Sequence, residues 1–213
     1  MKIKILLSVA AAGALCFGQT ADPKMSFFIT SAGSGNGADL GGLKGADAQC
    51  AKLAKAAGSK KKVWRAYLSQ QPEGKLKAVN ARDRIGKGPW FNSKGVEVAK
   101  DIADLHSENN KLGKQNSLTE LGQVVNGRGD TPNQHDILTG SQLDGTVKPG
   151  TEDSTCKNWT SHGEGSALVG HHDRQGGGQN PNSWNSAHAS RGCSQANLVA
   201  TGGAGRFYCF ATK

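Results

Sequence analysis

The sequence lacks the short motifs that carry most enzymatic chemistry. It contains no nucleophile elbow, no paired-carboxylate pattern and no phosphate-binding glycine loop. It also lacks a nucleic-acid-binding motif, and no stretch after the first 21 residues is apolar enough to cross a bilayer. We therefore expect a non-enzymatic protein with no nucleic-acid partner and no membrane span.

Apolar residues are scarce as well. They make up 36% of the 213 residues, whereas glycine occupies 30 positions, about twice its usual share of about 7%. The sequence shows no internal repeat and no linker that would divide two domains. These features predict one loop-rich domain that depends on cross-links for its stability.

The N-terminus carries an apolar run with the layout of an export signal. Two lysines in the first four residues precede the run, which ends near residue 17 and is followed by small or polar residues. This order indicates a secretory signal peptide in residues 1–21, cleaved after Gly18 or after Ala21. We therefore predict a domain over residues 22–213 that is secreted, periplasmic or held at the cell surface.

Removal of that peptide leaves four cysteines, Cys50, Cys156, Cys193 and Cys209. An even number of cysteines in an exported chain indicates disulfides. Four cysteines allow three pairings, and their positions in the sequence do not choose among them.

Cys50 lies on a predicted helix. Residues 46, 50, 53, 54 and 57 are alanine, cysteine, leucine, alanine and alanine, and their spacing is that of one helical face. Glycines at 41, 42 and 45 indicate a turn before the helix, and Gly58 is a typical residue to end it. Cys50 should therefore point into the core.

Other segments are predicted from shorter patterns. Strands are expected at 27–30, 63–69, 137–141 and 206–211, with a further strand between Cys156 and Trp159 and a weak one at 124–125. A second short helix is expected through Val98, Ile102 and Leu105, and residues 161–192 read as a long polar loop.

Taken in order, several of these segments resemble the endostatin-like branch of the C-type lectin-like fold. The segments are GGLKGADAQCAKLAKAAG (41–58), WRAYLS (64–69), ADL (103–105), LTGSQLDG (138–145), CKNWTS (156–161), and GCSQANLVA followed by RFYCF (192–210). The resemblance implies an α+β fold, with two short helices beside mixed, mainly antiparallel strands and long loops. It also implies two nested disulfides, Cys50–Cys209 and Cys156–Cys193.

The positive charge is concentrated in one segment. The whole chain has a net charge of +9, while residues 51–94 contain twelve lysines or arginines and two acids, a net charge of +10. Such a segment is either a solvated face that keeps the protein soluble or a patch for polyanions. The candidate ligand-binding residues are Lys60, Lys61, Lys62, Arg65, Lys75, Lys77, Arg82, Arg84 and Lys87.

Calcium-dependent lectins of this fold hold Ca²⁺ through a Glu-Pro-Asn-like segment and a Trp-Asn-Asp segment. Here Lys148 stands where the first acid is expected and Ser186 where the aspartate is expected. These two departures argue against the usual calcium–sugar site. Glu152, Asp153 and Asn185 remain as candidate oxygen ligands.

Histidines in the 161–192 stretch leave zinc open as a second ion. Endostatins bind zinc, but the spacing of His162, His171, His172 and His188 matches no zinc motif. Adjacent residues of a strand point to opposite faces, so His171 and His172 would not bind one ion together. We expect a surface loop here and no resident cofactor.

These observations predict a binding module for a glycan or polyanionic polymer, acting through residues 51–94 and the loop at 161–190. The first alternative is a structural or adhesive surface protein that binds a surface or matrix protein through that loop. A metal-dependent enzyme that uses the histidines is a more remote alternative.

Overall fold

A long strand near the C-terminus organises the described part of the chain. The structure is a computed structural model that describes residues 20–212, so the predicted signal peptide lies almost wholly outside the described residues. In chain order the elements are β1 (Phe27–Ile29), α1 (Gly42–Ala56), β2 (Trp64–Ala66), a 3₁₀ turn (Ala81–Asp83), β3 (Trp90–Phe91), β4 (Glu97–Ala99), α2 (Ile102–Leu105), β5 (Asp136–Leu138), α3 (Cys156–Trp159), β6 (Leu168–His171), β7 (His188–Ala189), α4 (Gln195–Thr201) and β8 (Gly203–Ala211).

Three strands pair with β8. β1 and β2 flank its C-terminal half in antiparallel orientation, and β5 pairs with its N-terminal half in parallel. β6 and β7 then extend the sheet antiparallel beyond β5, while β3 and β4 form a separate hairpin. The mixed, mainly antiparallel sheet and the α+β class that the sequence predicts are therefore confirmed.

Two hydrophobic cores lie on opposite faces of β8, because successive side chains of a strand alternate. Phe207 and Cys209 belong to the core that α1 covers. Tyr208 and Phe210 belong to the other core, together with Trp184. Both faces of the strand are thus buried.

The predicted helix forms as α1. Its buried residues are Ala46, Cys50 and Ala54, which lie on the predicted face. Gly58 follows the helix with a φ of 82°, in the left-handed region where glycine carries no steric penalty. The helix therefore ends where the sequence predicts.

Both implied disulfides are present. Cys50 on α1 bonds to Cys209 on β8, and Cys156 bonds to Cys193 inside that span. Disulfides of this kind form and persist in oxidising compartments, which is consistent with the predicted export. None of the helices within residues 20–212 is long and apolar enough to cross a bilayer.

The strand predicted between Cys156 and Trp159 is wrong. These four residues form a helical turn in which every φ is positive, from 49° to 67°. Left-handed turns are unfavourable for L-residues, so side chains must hold this one in place. Thr155 begins that support, because its side chain accepts a hydrogen bond from the Asn158 N–H.

Several other boundaries also differ from prediction. The described residues contain four helices rather than two, since α3 and α4 have no counterpart among the predicted elements. Val98 lies in β4 and not on the second helix. The stretch at 161–192 contains β6 and β7, so it is partly sheet, and Val124 makes only an isolated bridge to Leu118.

Candidate functional site

The three arginines of the predicted basic patch are engaged in ion pairs. Arg84 donates to both carboxylate oxygens of Asp47, at 2.9 and 2.8 Å, and its side chain is 10% exposed. Arg65 lies 3.4 Å from the same carboxylate, and Arg82 lies 3.4 Å from Asp144. Much of the arginine charge is therefore neutralised within the fold.

The six lysines of the predicted patch behave differently. None of them forms an ion pair with a residue of the described range 20–212. Lys61 is partly buried and the other five are exposed, namely Lys60, Lys62, Lys75, Lys77 and Lys87. Their charges are therefore available to an external anion.

Lys61 and Lys62 open onto two surface hollows. Lys61 lines a hollow of about 310 Å³ together with Lys24, Phe91 and Pro89, and the Lys24 ammonium lies 5.7 Å from the centre of the Phe91 ring. Lys62 lines a hollow of about 580 Å³ with Lys44 and Arg65 among its other residues. Because Lys61 and Lys62 are consecutive, one short stretch of chain borders both hollows.

We refer to Lys24, Lys44, Lys60, Lys61, Lys62 and Lys87 as the lysine surface. Lys87 belongs to it because the next residue, Gly88, lines the same hollow as Lys61. Lys75 and Lys77 lie in the turn after Glu73 and line neither hollow.

The structure places the three predicted calcium ligands in different surroundings. Asp153 lines a cavity of about 330 Å³ and accepts hydrogen bonds from the backbone of Thr155 and Lys157. Glu152 pairs with Lys148. Asn185 lines another cavity, of about 380 Å³. Its buried amide already makes hydrogen bonds to other groups of the protein.

A buried histidine–aspartate cluster, which the sequence analysis did not predict, lies where β5, β6 and β7 meet. The Nε2 atoms of His135, His171 and His188 lie 3.3, 3.3 and 3.5 Å from Oδ1 of Asp136. The Nε2 atoms of His171 and His188 lie 3.0 Å apart. The rings of His135 and His171 stack at 4.3 Å between centroids. The ligand atoms of His135, Asp136 and His171 all lie within 4.8 Å of one another, and His188 adjoins Asp136 and His171.

The other ring nitrogen of each histidine faces an oxygen outside the cluster. Nδ1 of His171 lies 2.7 Å from the Pro181 carbonyl oxygen, and Nδ1 of His188 lies 3.0 Å from the carbonyl oxygen of residue 189. Nδ1 of His135 lies 3.3 Å from a carboxylate oxygen of Asp173. The two carbonyl oxygens accept hydrogen bonds and therefore favour the tautomer of His171 and His188 with hydrogen on Nδ1. The Nδ1 of His135 makes no hydrogen bond of good geometry with a described residue.

The electrostatics of the cluster favour an ionised carboxylate. Burial opposes ionisation of Asp136, but the neighbouring imidazoles of His171 and His188 offset it, so the pKa of the Asp136 carboxyl lies below its ordinary value. The pKa of His188 is raised, chiefly by the adjacent Asp136 carboxylate. Burial opposes ionisation of Asp173 too, yet His135 and two backbone N–H groups hold its pKa well below the usual range.

One prediction for the histidines is confirmed and another is wrong. His171 and His172 do point apart, because His172 contacts the carbonyl oxygen of Asn126 and not the cluster. The predicted surface loop is wrong for both, since each is fully buried. His162 lies outside the cluster with a side chain that is 65% exposed.

No short motif could have revealed the cluster. His135 and Asp136 lie at the start of β5, 35 residues or more before His171, and His188 lies on a strand of only two residues. One indirect signal was the glycine run at 176–178, which packs against the histidines. A Cβ atom at Gly176 would lie 2.2 Å from Cε1 of His171, so only glycine fits there.

Comparison with known proteins adds no assignment. No family model matches the chain, and no curated protein matches it.

Proposed function

We propose that the protein is an exported, non-enzymatic binding module for an anionic glycan or another polyanionic polymer. One observation carries the proposal: the lysines around the two hollows have no carboxylate partner among the described residues, whereas the arginines of the same segment do. Because evenly solvated surfaces mix both signs of charge, a set of unpaired lysines around concave surface favours an anionic ligand.

The chemistry of the hollow suits a sulfated or uronic polysaccharide. Lys24 and Lys61 can pair with sulfate or carboxylate groups, while the Phe91 ring and Pro89 offer apolar surface to a sugar ring. The ligand would bind along the surface, since both hollows are open and one short stretch of chain borders both. The module would therefore recognise charge density and spacing more than a single terminal sugar.

We assign the chain to the endostatin-like branch of the C-type lectin-like fold as part of the same proposal. The nested disulfides, the helix that carries Cys50 and the pairing of β1 with β8 support it. Trp184 and Asn185 occupy buried positions before the third cysteine, as the Trp-Asn segment of that fold would. The departures at Lys148 and Ser186 favour binding that does not need calcium.

Heparin–agarose chromatography of the full chain tests the function. We expect the wild-type protein to elute well above physiological salt and the Lys61→Gln/Lys62→Gln variant to elute at clearly lower salt, with or without calcium. The reason is that exposed charges lose most of their attraction when salt shortens the screening length below about 8 Å.

Lys111→Gln/Lys157→Gln is the matched control, because it removes the same charge from exposed lysines outside the lysine surface. Equal shifts for the two double variants would show only an effect of net charge and would overturn the assigned surface. Elution of the wild type at or below physiological salt would overturn the function. A glycan array that stays silent, together with capture of a protein partner, would favour the adhesive alternative.

A further inference from the structure

We propose that His135, Asp136, His171 and His188 bind one divalent first-row transition metal ion, with Zn²⁺ as the probe. The site would be structural, because four protein ligands leave no open position for a substrate. It lies within the sheet, and its residues are separate from the lysine surface, so it does not depend on the proposed function.

Four of the six distances between the candidate ligand atoms are close to those of a tetrahedral site. With metal–ligand bonds of 2.0–2.1 Å, two ligands of a tetrahedral Zn²⁺ lie about 3.3 Å apart. Oδ1 of Asp136 lies 3.3, 3.3 and 3.5 Å from the three Nε2 atoms. The Nε2 atoms of His171 and His188 are 3.0 Å apart. Of the four side chains, only His135, Asp136 and His171 have ligand atoms that all lie within 4.8 Å of one another, and the rings of His135 and His171 stack 7° from parallel. Binding of the ion would therefore rotate one of these rings and draw His188 closer to His135.

Outer hydrogen bonds prepare His171 and His188 as ligands, and a carboxylate lies close to the outer nitrogen of His135. Metal-binding histidines generally donate their second ring N–H to a carboxylate or a backbone carbonyl group. Here the Pro181 carbonyl, the residue 189 carbonyl and the Asp173 carboxylate face the three Nδ1 atoms. When Nδ1 carries the proton, Nε2 carries the lone pair that a metal ion needs.

Those lone pairs need a cation between them. Asp136 is 3% exposed, and neither of its carboxylate oxygens accepts a hydrogen bond of good geometry from any described residue. A buried carboxylate without partners is costly, and imidazole lone pairs beside it add repulsion to that cost. One proton could bridge one pair of atoms, whereas one metal ion satisfies all four at once.

The donor set identifies the class of metal. Three imidazole nitrogens and one carboxylate oxygen suit zinc and its neighbours in the first transition row. Calcium and magnesium prefer six or more oxygen ligands, which this cluster does not supply.

The ion would join three neighbouring strands and anchor the chain between them. Asp136 is on β5, His171 on β6 and His188 on β7, and the segment that links the last two strands folds over the cluster. The tight approaches of Gly176 to His171 and of Gly178 to His188 hold that segment in place.

The first experiment measures binding by the full, disulfide-bonded chain after removal of metal with a chelator. We expect one Zn²⁺ per chain by calorimetry, and Co²⁺ in its place should give the intense visible absorption of a four-coordinate site. X-ray absorption of the zinc form should show about four ligands that include imidazole rings. Zinc should also raise the melting temperature until one equivalent is bound.

His188→Gln is the preferred variant, because its side chain is the most exposed of the four. We expect at least a tenfold weaker affinity for Zn²⁺, since even outer partners of such histidines typically change affinity by about 10–100-fold. His162→Gln removes an exposed histidine that lies outside the cluster and should bind as the wild type does. Asp136→Asn should lose binding as His188→Gln does.

Two results would overturn the proposal. One is the absence of stoichiometric zinc binding by folded wild-type protein. The other is equal zinc affinity in His188→Gln and His162→Gln, which would place the ion elsewhere. If the cluster variants fail to fold, the wild-type spectra decide, because a six-coordinate shell of oxygens without imidazole also overturns it.

Discussion

The side chain of Asn158 pairs with the backbone of Gln71 as a neighbouring strand would. Its Oδ1 accepts a hydrogen bond from the Gln71 N–H at 2.8 Å, and its Nδ2 donates to the Gln71 carbonyl oxygen at 3.2 Å. Asn158 is also one of the four residues of the left-handed turn α3, with a φ of 55°. The same side chain thus fixes an unfavourable turn and ties it to the chain after β2.

Replacement of Asn158 by alanine should lower the free energy of unfolding by about 3 kcal/mol. Two buried backbone groups would lose their partner, at about 1–3 kcal/mol, and alanine would add about 1 kcal/mol of left-handed strain. Asn158→Gly should lower the free energy of unfolding by about 1 kcal/mol less than Asn158→Ala, because glycine adopts the left-handed conformation without that strain. Urea denaturation measures both, and Asn182→Ala at an exposed position is the control. Equal losses for the alanine and glycine variants would contradict a role for the turn geometry.

Arg84→Met should destabilise the fold and leave the lysine surface intact. The variant leaves the mostly buried Asp47 carboxylate without its main partner, which costs about 3 kcal/mol for pairs of this type. Arg82→Met removes a more exposed pair with Asp144 and should cost less than about 1 kcal/mol. Urea denaturation gives both values. Similar losses of unfolding free energy in the two variants would show that burial does not make the Arg84–Asp47 pair more important for stability.

The outer disulfide should contribute more to stability than the inner one. The bonded cysteines are 159 residues apart in Cys50–Cys209 and 37 apart in Cys156–Cys193. Loop closure in the unfolded chain then predicts losses of about 5 and about 4 kcal/mol for the paired alanine variants. Both variants can be compared by urea denaturation without reductant. A smaller loss for the outer pair than for the inner pair would contradict the expectation.

His106 should make stability fall in mild acid. Burial lowers the pKa of His106; its Nε2 lies 2.7 Å from the Tyr67 hydroxyl, which itself accepts a hydrogen bond from Asn185. The unfolded chain therefore takes up the proton first, near pH 6.5. Stability is full above that pH and declines as pH falls towards the folded pKa.

His106→Gln isolates this effect from the other histidines. The difference in unfolding free energy between pH 7.5 and pH 5 should be smaller in the variant than in the wild type, as measured by urea denaturation. Arg82 and Asp144 also face His106, and hydrogen bonds from Thr146 outweigh burial and hold the pKa of the Asp144 carboxyl below its ordinary value. An unchanged difference would show that His106 has the same pKa in both states.

The sequence was sufficient where a feature depends on regular spacing. The face of α1 follows from apolar residues three and four apart, and the alternation in β8 follows from a period of two. Such patterns arise because a single helix or strand packs one face against a core. They can therefore be recognised without knowledge of the rest of the chain. The disulfide pairing came only from the resemblance to a known family, because spacing leaves three pairings open.

The parts that the sequence analysis missed depend on long-range contacts. Cys156–Trp159 contains no glycine, so nothing local indicated a left-handed turn that Gln71 stabilises from 87 residues away. β7 has two residues and is a strand only because β6 lies beside it. In the sequence, nothing distinguishes Arg84 from the neighbouring lysines, because its ion pair with Asp47 forms only in the folded protein. The histidine cluster likewise exists only when three strands are assembled.

The position of β8 at the end of the described chain has a consequence for the order of assembly. β1, β2 and β5 all pair with β8, and Cys50 forms its disulfide with Cys209 on the same strand. While a ribosome is still making residues before 203, the earlier strands have no template and the Cys50 thiol has no native partner. Closure of the sheet is therefore a late event. Until then, unpaired strands and the free Cys50 thiol expose the chain to aggregation and to incorrect disulfides.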